Sequence, residues 1–121
     1  MVRIDAHLHV FAKQSKQFPR EASALAPADR EETAEKFLAH MDAQSIDQAM
    51  LVQIGGAEIT EHAYLRHCID TYPDRFLGIA LVPGDCAEPE AHMDALADKG
   101  GIVGFRLGSL GGPRDPFAQI D

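Results

Sequence analysis

The chain has little of several things that mark particular protein classes. Its 121 residues include no tryptophan, only two cysteines, and 11 Lys and Arg against 19 Asp and Glu, for a net charge of −8. Because the chain has only Cys68 and Cys86, which are far apart, a disulfide framework is not expected, and a reducing cytoplasm is the expected compartment. The acidic balance, without a basic stripe, argues against a nucleic-acid partner.

Long apolar runs and glycine-rich phosphate loops are also missing. No run of 18 apolar residues occurs, so no membrane partner is expected, and the first residues lack the apolar segment of a signal peptide. Where a dinucleotide-binding chain places its glycines after the first strand, this chain has LHVF at residues 8–11. The remaining composition, 45% hydrophobic and 25% charged, is that of a globular protein and suits a single domain over residues 1–121.

The apolar pattern predicts strands that alternate with helices. Four short apolar runs predict strands at residues 2–6, 49–52, 76–82 and 102–107. Three apolar stripes with helical spacing predict helices, the first starting near Asp29 in an Asp-x-x-Glu capping box, the second at Thr60, and the third with Pro89 in its first turn. Residues 11–28 are predicted to be a loop, either a functional lid or a tolerated insertion, and residues 108–113 a second loop.

This order, β-α-β-α-β-α-β, predicts an α/β fold with parallel strands and right-handed crossovers. An open doubly wound sheet and a (β/α)₈ barrel share the pattern. A complete barrel needs about 250 residues, and this chain supplies roughly half. The doubly wound sheet usually has a glycine-rich loop after its first strand, which is missing here. We therefore expect a parallel β/α half-barrel, strands 1–4 of a TIM-type barrel, truncated after the fourth strand.

Two histidines form the most informative motif. His7 and His9 follow an apolar strand start, and with Asp5 they share one parity, so all three side chains are predicted to point to one face of the strand. Neutral imidazole binds zinc and similar divalent ions. The motif therefore predicts a metal site with His7 and His9 as ligands, the alternative being a pair of histidines at a barrel mouth that make hydrogen bonds. Asp5 lies two residues before His7, farther from the end of the strand, where it could be a third ligand or a hydrogen-bonding residue at the end of the core.

Two further side chains are candidate substrate contacts. Arg106 ends the fourth strand, and its planar guanidinium suits a substrate carboxylate, the alternative being an ordinary ion pair. Gln53 ends the second strand and could donate to a substrate oxygen or only stabilise a loop. The other histidines fall in predicted helices and are expected to face solvent without a ligand role; they are His40, His62, His67 and His92. Cys68 is expected in the core of a helix.

Four segments resemble the amidohydrolase superfamily, specifically its amidohydrolase-2, or amidohydrolase-related, branch. They are IDAHLHVF at residues 4–11, LVQ at 51–53, YPDRF at 72–76 and GIVGFRL at 101–107. They occur in the order of the family and cover almost the whole chain. The resemblance implies a (β/α)₈ barrel and metal-dependent hydrolysis, lactone opening or non-oxidative decarboxylation of small carboxylated or cyclic substrates. It also implies that some lactonase-like members work without metal.

The chain departs from that family in one respect. The family's remaining metal ligands and catalytic Asp come from later strands, including a His on strand 5 and an Asp on strand 8, and no residue here matches them. A catalytic zinc takes three protein ligands and a water. These 121 residues are therefore expected to carry part of a divalent metal site, with zinc as the expected ion and the catalytic residues unknown. We expect little hydrolytic activity from this chain alone.

Two other hypotheses belong to different classes. A half-barrel leaves two open sheet edges, so the chain could be non-catalytic and either self-associate as a homo-oligomer or bind a partner segment that covers them. A flavodoxin-like binding module would share the fold class, although the sequence offers no phosphate loop for it.

Overall fold

A computed structural model describes residues 1–108; residues 109–121, which hold most of the predicted loop at 108–113, lie outside the described residues. Strands and helices alternate along the chain in the order β1 (Ile4–Leu8), α1 (Ala34–Ala43), β2 (Gln48–Val52), a 3-10 turn (Ile59–His62), α2 (Ala63–Thr71), β3 (Phe76–Val82), α3 (Pro89–Ala97) and β4 (Ile102–Leu107). All strand pairs are parallel and the sheet order is β1-β2-β3-β4. The predicted α/β fold is confirmed.

The sheet has one face covered by helices and one face that is open. On the covered face, Leu51, Phe76 and Ala80 are at most 1% exposed, and the core there includes residues of α1 and α2. Gly78 allows close packing on this face, since a Cβ at its position would lie 2.7 Å from side-chain atoms of both Ile69 and Ile102. On the other face, alternate residues of β3 are only half-buried. The helices therefore stabilise the sheet from one side.

The first helix starts later than the capping pattern predicts. Thr33, not Asp29, caps α1, and its side chain accepts a hydrogen bond from the backbone N–H of Lys36 at 3.4 Å. Glu32 instead pairs with Phe11 in an antiparallel bridge, with both backbone hydrogen bonds at 2.9 Å. Because this bridge holds the chain extended at Glu32, the Asp-x-x-Glu segment cannot form the first helical turn.

The second helix also differs in its start, whereas the third agrees with the prediction. A 3-10 turn precedes α2, and the side chain of Glu61 accepts a hydrogen bond from the backbone N–H of Glu58, so Thr60 is not the cap. Pro89 occupies the first turn of α3, where its missing N–H costs no hydrogen bond. Within residues 1–108, no helix has the length and apolar character needed to cross a membrane.

Strand β1 starts two residues later than predicted and contains a bulge. Its pairing with β2 matches Asp5 with Ala49 and Leu8 with Leu51, so three steps along β1 correspond to two along β2. The extra residue breaks the simple alternation of side chains between faces. The bulge therefore decides which side chains of the histidine motif share a face.

Candidate functional site

The candidate residues come from the carboxyl ends of strands in one parallel sheet. His7 and His9 lie at the end of β1, Gln53 follows β2, and Arg106 lies near the end of β4. In a parallel sheet these ends lie along one edge, which is where α/β proteins place their ligand sites. The topology therefore brings the four predicted side chains to the same edge.

The two histidines of the motif lie with their rings in contact. Their Nε2 atoms are 3.1 Å apart, and the ring planes are almost perpendicular, at 87°. His7 is exposed and His9 is half-buried. Two imidazole nitrogens bound to one tetrahedral zinc ion lie about 3.3 Å apart, given Zn–N bonds of about 2.0–2.1 Å. The observed separation is that of a hydrogen bond between the two rings, and it is also close to the spacing of two ligands of one metal ion.

A backbone carbonyl sets the protonation pattern of His9. The Nδ1 atom of His9 lies 2.8 Å from the carbonyl oxygen of Val52, at the end of β2. Since a carbonyl can only accept, Nδ1 carries the proton, and Nε2 presents its lone pair toward His7. A hydrogen bond of this kind orients metal-binding histidines. The pair thus brings two imidazoles to one point, while among residues 1–108 no group of three or more His, Cys, Asp or Glu side chains converges on one point.

Asp5 does not extend the pair to three ligands. Its carboxylate accepts a hydrogen bond from the backbone N–H of His7 at 3.1 Å. Because of the bulge, Asp5 is in register with Ala49 on the covered face, and the predicted common face for Asp5 and the two histidines is wrong. Asp5 instead satisfies a backbone donor that the bulge removes from regular pairing.

Arg106 and Gln53 meet, but through the backbone of Gln53. The Nη1 atom of Arg106 lies 3.5 Å from the carbonyl oxygen of Gln53, one residue beyond the carbonyl that orients His9. Gln53 is 5% exposed, and its side-chain amide donates to the carbonyls of Glu61 and Gly56, at 2.8 and 3.2 Å. Both of its N–H hydrogens are therefore used within the loop after β2, and the predicted donation to a substrate remains only a prediction.

One histidine assigned to the surface is buried. His62 is 5% exposed; its Nδ1 lies 2.8 Å from the carbonyl oxygen of Glu58, and its Nε2 accepts from the backbone N–H of Leu81 at 2.9 Å. Burial lowers the pKa of His62, and the neighbouring His92 lowers it further. The signal for burial was present in the sequence, because His62 precedes Leu65 and Ile69 at helical spacing on the inward stripe.

The remaining histidines and the two cysteines differ in how far they are exposed to solvent. His40 and His67 are exposed as predicted, whereas His92 is half-buried and lies 3.0 Å from the carbonyl oxygen of Ala57. Both cysteines are free; Cys68 is completely buried in the core, as predicted. Burial raises the pKa of the Cys68 thiol to about 12, so it is not an activated nucleophile.

The sequence and the fold of this chain match a known protein family. The family model described as Amidohydrolase matches residues 4–119. The chain belongs to the amidohydrolase family. This family generally uses a divalent metal ion, and the histidine pair of this amidohydrolase chain lies where its first strand ends. No curated protein matches the chain significantly.

Two solved structures resemble this amidohydrolase chain. One, from Acinetobacter baumannii, is a probable 2-pyrone-4,6-dicarboxylic acid hydrolase with citric acid bound; it is 32% identical, with a TM-score of 0.65 over 93% of this chain and 41% of the neighbour. The other is an apo protein from Agrobacterium tumefaciens, 16% identical, with a TM-score of 0.55 over 86% of this chain and 36% of the neighbour. The chain thus spans about two fifths of these structures. They are TIM barrels, and the four-stranded sheet is a half-barrel, as predicted.

Proposed function

We propose that His7 and His9 bind a divalent metal ion, zinc being the expected ion, as part of the site of a metal-dependent hydrolase. The observation that carries this proposal is the 3.1 Å separation of the two Nε2 atoms, with Val52 fixing the tautomer of His9. When bound, such an ion lowers the pKa of a water or polarises a carbonyl. The donor set supports part of such a site, because residues 1–108 bring two imidazoles together and no larger group of His, Cys, Asp or Glu.

We propose a small carboxylated or cyclic molecule as the substrate. Arg106, anchored on the carbonyl of Gln53, presents a guanidinium at the same strand edge and could bind a carboxylate through two parallel hydrogen bonds. The structure 32% identical to this chain is described as a probable hydrolase of 2-pyrone-4,6-dicarboxylic acid, a cyclic ester with two carboxyl groups. This likeness favours lactone opening over decarboxylation as the reaction class.

A second candidate is a non-catalytic half-barrel that self-associates or binds a partner segment. The open face of the sheet favours it, because Leu77, Ile79 and Leu81 are only half-buried there. Under this hypothesis the histidine pair would be a remnant of a metal site. A cytoplasmic location is proposed with either function, since Cys68 and Cys86 are both unpaired.

Titration of the purified chain with Zn²⁺, followed by calorimetry, tests the metal proposal. We expect binding that His7→Ala and His9→Ala each weaken by at least about tenfold, or about 1.4 kcal/mol. His40→Ala is the matched control, because His40 is exposed on α1 and far in sequence from the motif. Equal affinity of the His7→Ala variant and the unsubstituted chain would show that the pair is not the metal site.

A further inference from the structure

The hydrogen-bond ladder between β2 and β3 stops one bond early. The two strands are in register from Ala49 opposite Phe76 to Val52 opposite Ile79, and the N–H of Gln53 donates to the carbonyl of Ile79 at 2.9 Å. In a regular parallel ladder, the next bond would run from the N–H of Leu81 to the carbonyl of Gln53. Here the N–H of Leu81 donates to a side chain and not to the carbonyl of Gln53.

His62 takes the place of the missing strand carbonyl. The N–H of Leu81 donates to Nε2 of His62 at 2.9 Å, and the proton on Nδ1 of His62 is donated to the carbonyl of Glu58 at 2.8 Å. Only the neutral ring with its proton on Nδ1 satisfies both bonds. The side chain thus terminates the ladder while it connects the 3-10 turn to the end of β3.

The carbonyl of Gln53 is consequently free to face Arg106. Its oxygen lies 3.5 Å from Nη1 of Arg106, and Arg106 is in register with Leu81 on the open face of the sheet. The amide of Gln53 also donates to the carbonyl of Glu61, next to His62. A closed ring of contacts therefore joins Arg106, Gln53, the turn and the end of β3.

We propose that His62 is a positioning residue for Arg106. By occupying the N–H of Leu81, His62 keeps the Gln53 carbonyl out of the plane of the sheet and directed at the guanidinium. Without the imidazole acceptor, the N–H of Leu81 is left unpaired and draws the Gln53 carbonyl back into the ladder, so Arg106 loses its anchor. The consequence for ligand binding rests on the proposed role of Arg106 in holding a carboxylate.

NMR of the ¹⁵N-labelled chain tests the positioning without reference to activity. We expect a scalar coupling between the Leu81 amide nitrogen and Nε2 of His62. In His62→Leu that coupling is lost, and the guanidinium signal of Arg106, which is exposed but contacts the Gln53 carbonyl through Nη1, moves away from its native position. His62→Gln, which keeps a neutral acceptor, restores the Arg106 signal. His92→Gln is the matched control, because the hydrogen bond of His92 goes to the carbonyl of Ala57.

Glutarate, a plain dicarboxylate, probes the consequence for binding. We expect His62→Leu to weaken its binding at least about fivefold, or about 1 kcal/mol, and His62→Gln and His92→Gln to leave it within about twofold. If glutarate binds the unsubstituted chain and Arg106→Met equally, the carboxylate role of Arg106 is wrong, yet the NMR signals still decide the positioning. A folded His62→Leu chain with the native Arg106 signal and unchanged glutarate affinity would overturn the inference.

Acidification provides a second measurement if His62→Leu does not fold. Protonated His62 cannot accept from Leu81, so the unsubstituted chain should lose the coupling and the native Arg106 signal at low pH, while His62→Gln keeps that signal. The charged or titratable side chains around His62 are His92 on α3, Arg66 on α2 and Glu61 on its own turn, with Asp98 and Lys99 also lining the cavity beside it. An Arg106 signal in the unsubstituted chain that does not respond to protonation of His62 would contradict the proposal.

Discussion

At the scale of single residues, the same hydrogen bond, from a histidine Nδ1 to a backbone carbonyl, fixes the tautomer of two histidines with different roles. In both His9 and His62, Nδ1 donates to a backbone carbonyl, that of Val52 in one case and of Glu58 in the other. Both rings therefore present Nε2 as an acceptor. What this atom meets decides its role: in His9 it faces the Nε2 of His7, in His62 the N–H of Leu81. Identical tautomers thus give a metal-ligand candidate at the strand edge and a structural acceptor in the interior.

The buried histidine makes stability depend on pH. The pKa of His62 is lowered in the folded chain, chiefly by burial and further by His92. Below the ordinary histidine pKa of about 6.5 the unfolded chain therefore binds a proton that the folded chain does not, so the free energy of unfolding falls as the pH falls. The fall continues down to the folded pKa, with a slope of at most about 1.4 kcal/mol per pH unit.

Urea denaturation at several pH values between 7.5 and 5 measures this effect. We expect the free energy of unfolding of the unsubstituted chain to fall more steeply with acid than that of His62→Gln, which has no proton to gain. The difference between the two slopes isolates His62 from the other titrating groups. Parallel pH profiles for the two chains would show that His62 does not carry the acid sensitivity.

At the scale of elements, one arginine organises the segment between β1 and α1. Arg20 is 6% exposed and donates to the carbonyls of Ala12, Ala26 and Pro27 at 2.8, 2.7 and 2.6 Å. A fourth bond reaches the carbonyl of Arg30 at 3.1 Å, and the guanidinium lies 4.9 Å from the centre of the Phe11 ring. A buried cation therefore stabilises this long connection, although its sequence has no regular spacing of apolar residues.

Arg20→Lys tests how much this cation stabilises the connection. The planar guanidinium of Arg20 reaches carbonyls in several directions, which the single ammonium group of a lysine cannot do. We therefore expect the free energy of unfolding of Arg20→Lys to fall by about 2–4 kcal/mol. Arg3→Lys is the control, since Arg3 is exposed and makes one side-chain bond of 3.4 Å, to the carbonyl of Gln44. Urea denaturation compares the two. Similar losses in both variants would mean that the four bonds of Arg20 add no stability.

The sequence predicts elements well where the signal is local. Strands β3 and β4 have the predicted bounds, and Pro89 starts α3 as expected, because apolar runs and a proline act over a few residues. The caps of the first two helices were mispredicted, because the distant partner Phe11 holds Glu32 extended before α1 and a 3-10 turn precedes α2. For the site, the histidine pair follows from the motif, whereas the carbonyl that orients His9 comes from a different strand. Such contacts depend on the register between strands and on bulges, which the spacing of apolar residues in the sequence does not determine.

At the scale of the whole molecule, the half-barrel leaves apolar surface on its outer strands. Ile4 on β1 is 58% exposed, and Val103 on β4 is 55% exposed. Neither strand pairs with a further strand among residues 1–108. Unpaired strands with exposed apolar side chains favour pairing with another chain. We therefore expect the 121-residue chain to self-associate unless a partner segment covers these edges.

Charge on the two outer strands should prevent that association. Lysine on an edge strand disfavours pairing, so the double variant Ile4→Lys with Val103→Lys should sediment as a monomer at concentrations where the unsubstituted chain forms larger species. Leu25→Lys with Ile59→Lys adds the same charge at exposed positions outside the sheet and is the matched control. Sedimentation velocity over a hundredfold range of concentration, about 1–100 μM as for weak interfaces, distinguishes them. A compact monomer of the unsubstituted chain throughout that range would show that the open edges do not drive association, and the non-catalytic, self-associating hypothesis would lose its support.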